Sequence, residues 1–304
     1  MRISVIVPVF NEEASVKPLH QKLRDVLKNR EYEVIFIDDG SRDETARNIR
    51  SVIEEDSNVK LIRFQRNFGK AAALSAGFEA ASGEVIFTMD GDLQDEPSEI
   101  PHFLAELDKG HDMVSGWKRE RKDPLGKRVA SKFFNWLTGW VTGLDIHDFN
   151  CGFKAYRKEV VEHLNIYGEL HRYIPALAYW HGFSVGEIPV QHHERKYGKS
   201  KYGVERLLKG FLDLLTVKFL MTYSKKPLHF FGLGGLFCFL LGVLAGIYLI
   251  YLKLLGQAIG ERPMLVLCVL LIVVGLQFFS LGFLAEIISS QSRKDYIVRE
   301  RINL

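Results

Sequence analysis

Val85-Ile86-Phe87-Thr88-Met89-Asp90-Gly91-Asp92-Leu93-Gln94 runs from a short apolar segment into a turn that carries two carboxylates. A run rich in β-branched and aromatic side chains, closed by acid and glycine, reads as a buried strand with a polar loop at its carboxyl end. Three runs of the same kind lie upstream: Val5 to Val9, Val34 to Asp38 and Val59 to Phe64. Helical stretches separate them, over Glu12 to Leu27, Asp43 to Glu54 and Lys70 to Ala80. Strands alternating with helices predict βαβ units, hence an α/β fold with a parallel-rich sheet. Ligands in such sheets sit beyond the carboxyl ends of the strands. The segments found there are Pro8-Val9-Phe10-Asn11-Glu12-Glu13, Asp38-Asp39-Gly40-Ser41 and Asp90-Gly91-Asp92-Leu93-Gln94.

Carboxylates at i and i+2 just past a strand can turn toward one hard cation, and Gln94 adds a neutral oxygen. A divalent ion there would neutralise charge on a departing diphosphate. An isolated acidic turn is more often structural; two further acidic strand ends upstream shift the balance toward a site. At Asp38-Asp39-Gly40-Ser41 a carboxylate can accept hydrogen bonds from a base or ribose, while Ser41 or Asp43 can also simply cap the next helix.

Taken in order, Pro8-x-x-Asn11-Glu12-Glu13, Asp39-Gly40-Ser41-x-Asp43, Arg66-Asn67-x-Gly69-Lys70 and Asp90-x-Asp92-x-Gln94 resemble the family-2 glycosyltransferases. Within that family the pattern is similar to dolichol-phosphate mannose synthases and bacterial polyprenyl-phosphate glycosyltransferases. The resemblance implies a nucleotide-sugar-binding, GT-A-like domain over residues 1–203. It implies that Pro8, Asn11, Glu12 and Asp39 line the nucleotide pocket, with Asp39 preferred over Asp38. It also implies that Asp90, Asp92 and Gln94 hold Mg2+ or Mn2+ and the diphosphate.

The second half is expected to hold the acceptor. Lys118, Arg119, Arg121, Lys122, Lys127 and Arg128 lead into a predicted helix, Val129 to Val141. Arg128 and Ser131 lie one turn apart, as a lipid phosphate needing cations and a hydroxyl would require. By resemblance Lys118, Lys127, Arg128 and Ser131 bind the acceptor phosphate; charge pattern alone also fits a loop on lipid headgroups. His193 to Gly203 resembles the family's Arg-x-x-Gly-x-Ser-Lys segment, which makes Arg195 and Lys201 donor contacts on a loop closing over the diphosphate. Asp148, before Gly152-Phe153-Lys154, matches an acidic position of the relatives. A phosphate monoester is already anionic near neutral pH, so Asp148 is expected to position groups rather than act as base. The expected catalytic set is Asp92, Arg128 and Asp148.

From Pro227 to Leu252 and from Pro263 to Ala285 no acidic, lysine or arginine side chain occurs. Each stretch exceeds the roughly 20 apolar residues that cross a hydrocarbon core of about 30 Å. Gly232, Gly234, Gly235, Gly242 and Gly246 would let a second helix approach. Residues 227–290 are therefore expected to form a two-helix transmembrane hairpin, followed by a basic tail, 291–304. Lys218, Lys225 and Lys226 before it and Arg293, Lys294, Arg299 and Arg301 after it predict cytoplasmic termini and catalytic domain. Residues 204–226, with an amphipathic stretch from Val204 to Tyr223, read as an interfacial helix or, on the same pattern, as a core helix of the soluble domain. Two helices offer no obvious sugar path, so a separate flippase is expected; a homo-oligomer is left open.

Forty basic against 37 acidic residues give no reason to expect nucleic acid as a partner. Three cysteines without metal or disulfide spacing fit a reducing compartment. Arg2 and the run Ile3 to Phe10, broken by Pro8 and followed by no small-residue cleavage site, belong to the fold rather than to a signal peptide. No HxH or HExxH pattern suggests zinc. The expected reaction transfers a sugar from a nucleotide carrier to a polyprenyl phosphate, undecaprenyl or dolichyl, with inversion, in cell-envelope glycan or glycolipid synthesis. Two alternatives remain: another lipid or polysaccharide acceptor, as in processive synthases whose Gln-x-x-Arg-Trp segment does not occur here, and a non-catalytic sugar-nucleotide-binding membrane scaffold.

Overall fold

The computed structural model describes residues 1–119, 125–193, 205–223, 226–260 and 262–290, without the side chains of 125–130, 205–209, 211 and 290. The chain divides into two compact units, Met1–Lys218 and Phe219–Leu304.

The first unit is built on one seven-stranded sheet in the order β3-β2-β1-β4-β6-β5-β7. Its strands are β1 (Ile3–Val9), β2 (Tyr32–Asp38), β3 (Val59–Arg63), β4 (Val85–Thr88), β5 (Met113–Trp117), β6 (Lys154–Arg157) and β7 (Val185–Pro189). β1 pairs in parallel with β2 and β4, and β2 with β3. β6 runs antiparallel to both neighbours, β4 and β5, and β7 is parallel to β5. The four strands read from sequence are all present; the three in the second half were not expected.

The strands near the centre read as continuous apolar runs because both faces are covered. Ile3, Val5, Val7 and Val9 join a core with Leu19, Leu23 and Leu27 of α1 (Val16–Leu27) and with Phe103 and Leu107 of α4 (Ile100–Asp108). On the opposite face Ile6 meets α3 (Lys70–Ala80), so closely that a Cβ on Gly77 would lie 2.3 Å from its side chain. α2 (Thr45–Glu55) lies between β2 and β3 in the chain.

α3 has the limits expected of it, whereas α1 begins four residues later than the expected Glu12. Asn11 has a positive φ of 56° and Glu12 to Ser15 form a turn. The chain cannot enter a helix until it leaves that left-handed residue. Further along the chain come α5 (Leu125–Thr142), α6 (Lys158–Glu162), α7 (Ile174–Trp180) and α8 (Glu205–Tyr223). On α8, Asp213 Oδ2 is buried, beside buried Leu214 and Val217, while Leu212 and Leu215 are exposed.

The second unit contains α9 (Pro227–Leu254) and α10 (Pro263–Ser290), both long and apolar enough to cross a membrane. Only 17% and 11% of their most apolar windows are buried, unlike the core helices of a soluble protein. Gly235, Gly242 and Gly246 lie against α10; a Cβ on Gly235 would stand 2.8 Å from the Gly275 carbonyl oxygen. Glu286 of α10 accepts the N–H of Leu228 at 3.2 Å, closing an otherwise open donor at the start of α9.

Candidate functional site

The carboxyl ends of β1, β2 and β4 carry the residues singled out in the sequence, and hydrogen bonds stitch those ends together. Asn11 donates its N–H to Ser41 Oγ at 2.9 Å and accepts from Arg42 N–H at 2.9 Å. Glu12 donates its N–H to Thr45 Oγ1 at 2.8 Å. Pro8 sits in β1 opposite Ile37. Asp38 is fully buried, accepting from Ser41 N–H at 2.8 Å and pairing with Arg63 at 3.0 Å. Asp39 takes the N–H groups of Phe68 at 2.7 Å and Gly69 at 3.0 Å, one on each oxygen. It thereby fixes the loop that leads into α3. Gly40 has φ +75°, and a Cβ there would stand 2.5 Å from Arg66 backbone, so only glycine fits the turn.

These loops enclose a cavity of about 510 Å³, lined among others by Phe10, Asn11, Arg42, Arg63, Arg66 and Asn67. Its arginines suit an anionic or planar ligand. Of the expected nucleotide residues, Asn11 lines it; Asp39 acts behind the wall by holding the loop.

The acidic turn follows β4. Leu93, between Asp92 and Gln94, has a positive φ of 63°. That conformation costs of order 1–3 kcal/mol for a residue with a Cβ and persists where surrounding structure holds it, often at ligand sites. Asp92 accepts Gln94 N–H at 3.2 Å, and the Gln94 amide reaches the His193 carbonyl at 3.2 Å. Asp90 rests against Gly152, where a Cβ would lie 2.6 Å from its carboxylate. Lys70, the first residue of α3, is hydrogen-bonded to Asp90 Oδ1. Lys118 pairs with Asp95 at 3.0 Å, and Lys154 donates to the Cys151 carbonyl.

Burial by itself would raise the Asp90 pKa, but the ammoniums of Lys70 and Lys118 outweigh it and hold the carboxyl well below the usual range. Burial and the nearby Asp95 push the Cys151 thiol up to about 12 although Lys118 opposes them, so it stays protonated. Burial, reinforced by Lys70 and Arg172, drops His171 to about 2, leaving it neutral. Its Nδ1 is buried without a hydrogen-bond partner.

A hard divalent cation fits this donor set. Asp90 already holds an ammonium on one oxygen, and Asp92 and Gln94 stand two and four residues further along the same turn. Among the described residues no cluster of three or more His, Cys, Asp or Glu forms a cage, so such an ion would rest on two carboxylates and an amide, leaving room for phosphate oxygens.

Of the expected acceptor residues, Lys118 points inward to Asp95 with a side chain 12% exposed. Lys127 and Arg128 lie in the first turn of α5 with Ser131 one turn on, but their side chains fall outside the described residues, as do Arg195 and Lys201 entirely. Asp148 is buried; its N–H donates to Glu187 at 2.9 Å and its carboxylate accepts Asn150 N–H at 3.1 Å. Sequence reading missed Lys70, Asp95, Lys154 and His171 as neighbours of Asp90. Arg66 and Lys70 stood in a quoted motif, yet nothing local assigned them a ligand or a partner.

The mixed sheet, with acidic loops gathered at the carboxyl ends of β1, β2 and β4, defines an α/β domain of the GT-A glycosyltransferase class. It is similar to the crystal structure of glucosyl-3-phosphoglycerate synthase from Mycobacterium tuberculosis in complex with Mn2+ and uridine-diphosphate-glucose. The TM-score is 0.56 at 18% identity, covering 72% of this chain and 78% of that one. The chain belongs to glycosyl transferase family 2, whose model matches residues 4–164. It is 40% identical to dodecaprenyl-phosphate galacturonate synthase of Rhizobium johnstonii, over 99% of this chain and 93% of that protein. It is 38% identical to undecaprenyl-phosphate 4-deoxy-4-formamido-L-arabinose transferase of Shewanella sediminis, over 94% of this chain and 86% of that protein.

Proposed function

We propose that this chain transfers a sugar from a nucleotide-sugar donor to a polyprenyl phosphate at a membrane surface, with inversion at the anomeric carbon. The observation that carries the reading is the similarity at 40% identity to a dodecaprenyl-phosphate galacturonate synthase, running through 99% of the chain, apolar helices included.

The cavity beside Asn11 and Arg66 takes the nucleotide, and the acidic turn takes the diphosphate end. Mg2+ or Mn2+ held by Asp90, Asp92 and Gln94 would supply charge neutralisation at the leaving diphosphate. Asp39 keeps the Phe68–Gly69 loop in place, which sets the cavity wall. The phosphate oxygen of the acceptor attacks the anomeric carbon from the face opposite the leaving group. With a second phosphate pKa near 6, that oxygen needs no general base, and Asp148 serves to position the loop it bonds. Lys127, Arg128 and Ser131 at the start of α5 are the acceptor-phosphate contacts in this reading. Lys118 acts from behind, through Asp95 and Asp90, and Arg195 and Lys201 close on the diphosphate. Rate enhancement comes from orientation and preset charge.

α9 and α10 anchor the domain, and the flanking lysines and arginines favour cytoplasmic termini. Translocation of the product falls to a separate protein. The test is transfer in purified membranes with polyprenyl phosphate, Mg2+ or Mn2+ and a panel of labelled nucleotide sugars. The panel includes hexuronates and amino-pentoses. A labelled lipid that disappears in Asp92→Asn is the expected result. Nucleotide binding with no labelled lipid from any donor would overturn the reading and point to another acceptor or to a scaffold.

A further inference from the structure

Two aspartate–lysine pairs stand side by side under the acidic turn, and they differ in one respect. Asp95 and Lys118 are sealed, with side chains 0% and 12% exposed. Asp90 and Lys70 each keep 33% of their side-chain surface open. A sealed pair is a fixed part of the fold, since separating it strands a buried charge. A half-buried pair, joined by one ammonium on a flexible four-carbon stem, can exchange partners with solvent ions more readily than a sealed one.

Lys70 also stands between the two halves of the site. Three residues before it, Asn67 lines the cavity, and Phe68 and Gly69 are held by Asp39. Lys70 itself opens α3 and reaches Asp90. The backbone anchor fixes where the side chain starts, and its ammonium rests on Asp90 at the end of a flexible four-carbon stem.

We propose that Lys70 is the resident counter-ion of Asp90, and that a divalent cation enters the acidic turn by displacing it. This rests on the metal-assisted reading above. Lys70 and the incoming cation compete for the same carboxylate oxygen. Lys118 stays on Asp95 and Lys154 on the Cys151 carbonyl throughout, so of the lysines around Asp90 Lys70 is the one that exchanges. Removing the Lys70 charge therefore tightens metal binding in the absence of nucleotide, the opposite of what loss of an ordinary structural residue does. Released from Asp90, the ammonium lies next to the phosphate end of a bound donor, where it adds a donor group without rebuilding the loop.

The experiment measures Mn2+ binding to the full chain in detergent, without nucleotide, from the free Mn2+ spin-resonance signal. Lys70→Met is expected to lower the Mn2+ Kd about tenfold, and Lys70→Arg, which keeps the charge, to stay within about twofold of the parent. In an Asp90→Asn background the gain from Lys70→Met disappears. Lys70→Gln serves as a second neutral variant should the methionine form fail to give a monodisperse sample. Unchanged or weaker Mn2+ binding in both neutral variants overturns the proposal while leaving the transfer reading intact. A gain that survives Asp90→Asn overturns it too, because the ion then binds elsewhere. A parent protein that binds no Mn2+ removes the metal-assisted reading and this proposal together.

Discussion

Lys118 and Asp95 meet at 3.0 Å with almost no solvent access, next to the Asp90–Lys70 pair. Asp95 also accepts the Asp90 N–H at 3.3 Å, so one buried carboxylate ties the acidic turn to β5, which ends at Trp117, immediately before Lys118. Breaking one partner of a buried pair strands the other charge and costs about 3–5 kcal/mol. Asp95→Ala is expected to lower the thermal unfolding midpoint sharply. The double variant Asp95→Ala, Lys118→Met should recover much of that loss; a thermal series of the single and double variants checks it.

Asp39 holds two backbone N–H groups of the loop before α3. Asp39→Ala leaves both without their carboxylate partner, at about 1–3 kcal/mol each where water cannot reach them. The loop shapes the cavity wall, so nucleotide affinity should fall at least tenfold, about 1.4 kcal/mol, alongside a loss of stability. Titration calorimetry with the donor identified in the transfer assay gives the affinity. Unchanged affinity would place the nucleotide elsewhere.

Gly152 faces Asp90, and a Cβ there would come within 2.6 to 2.9 Å of its carboxylate atoms. Gly152→Ala is expected to push Asp90 off its position while leaving the fold intact. Transfer activity should fall by about 10²-fold, the scale of losing one preset electrostatic contact, with a far-ultraviolet spectrum like the parent's. Normal activity in this variant would mean that Asp90 tolerates displacement.

At the other end of the strands, Glu33 is 1% exposed and accepts from Ser4 at 2.6 Å, Ser82 N–H at 2.7 Å and Lys60 at 2.5 Å. Burial opposes ionisation there, but Lys60, Ser4 and Ser82 outweigh it and bring the pKa down to about 2. A carboxyl depressed in the folded state stabilises above its unfolded value of about 4.3 and loses that contribution as pH falls toward 2. A shift of this size corresponds to about 3 kcal/mol as an upper figure. Glu33→Gln should be less stable than the parent at pH 7, and the difference should shrink between pH 4.5 and 2. Denaturant midpoints across that range measure it.

Much of the first half was legible because its signals are local. β1 to β4 announce themselves as short apolar runs rich in β-branched residues, two of them closed by aspartate, and α3 was placed residue for residue at Lys70–Ala80. β5 to β7 were not legible. Met113–Trp117 and Val185–Pro189 each contain a glycine, and Lys154–Arg157 has charged residues at both ends. Their strand character comes from neighbours across the sheet, and pairing between residues far apart leaves little local trace.

The sequence by itself determined the chemistry available at each strand end and the presence of two helices long and apolar enough for a membrane, because composition and short-range periodicity carry both. Only the tertiary structure decided which charges meet. Lys70 lies 20 residues from Asp90 and reaches it because β1 lies between β2 and β4. Lys118 and Asp95 pair because β6 and β5 fold back beside β4. Ion-pair partners are set by the order and direction of strands in space, which depend on packing of the whole sheet rather than on any one segment.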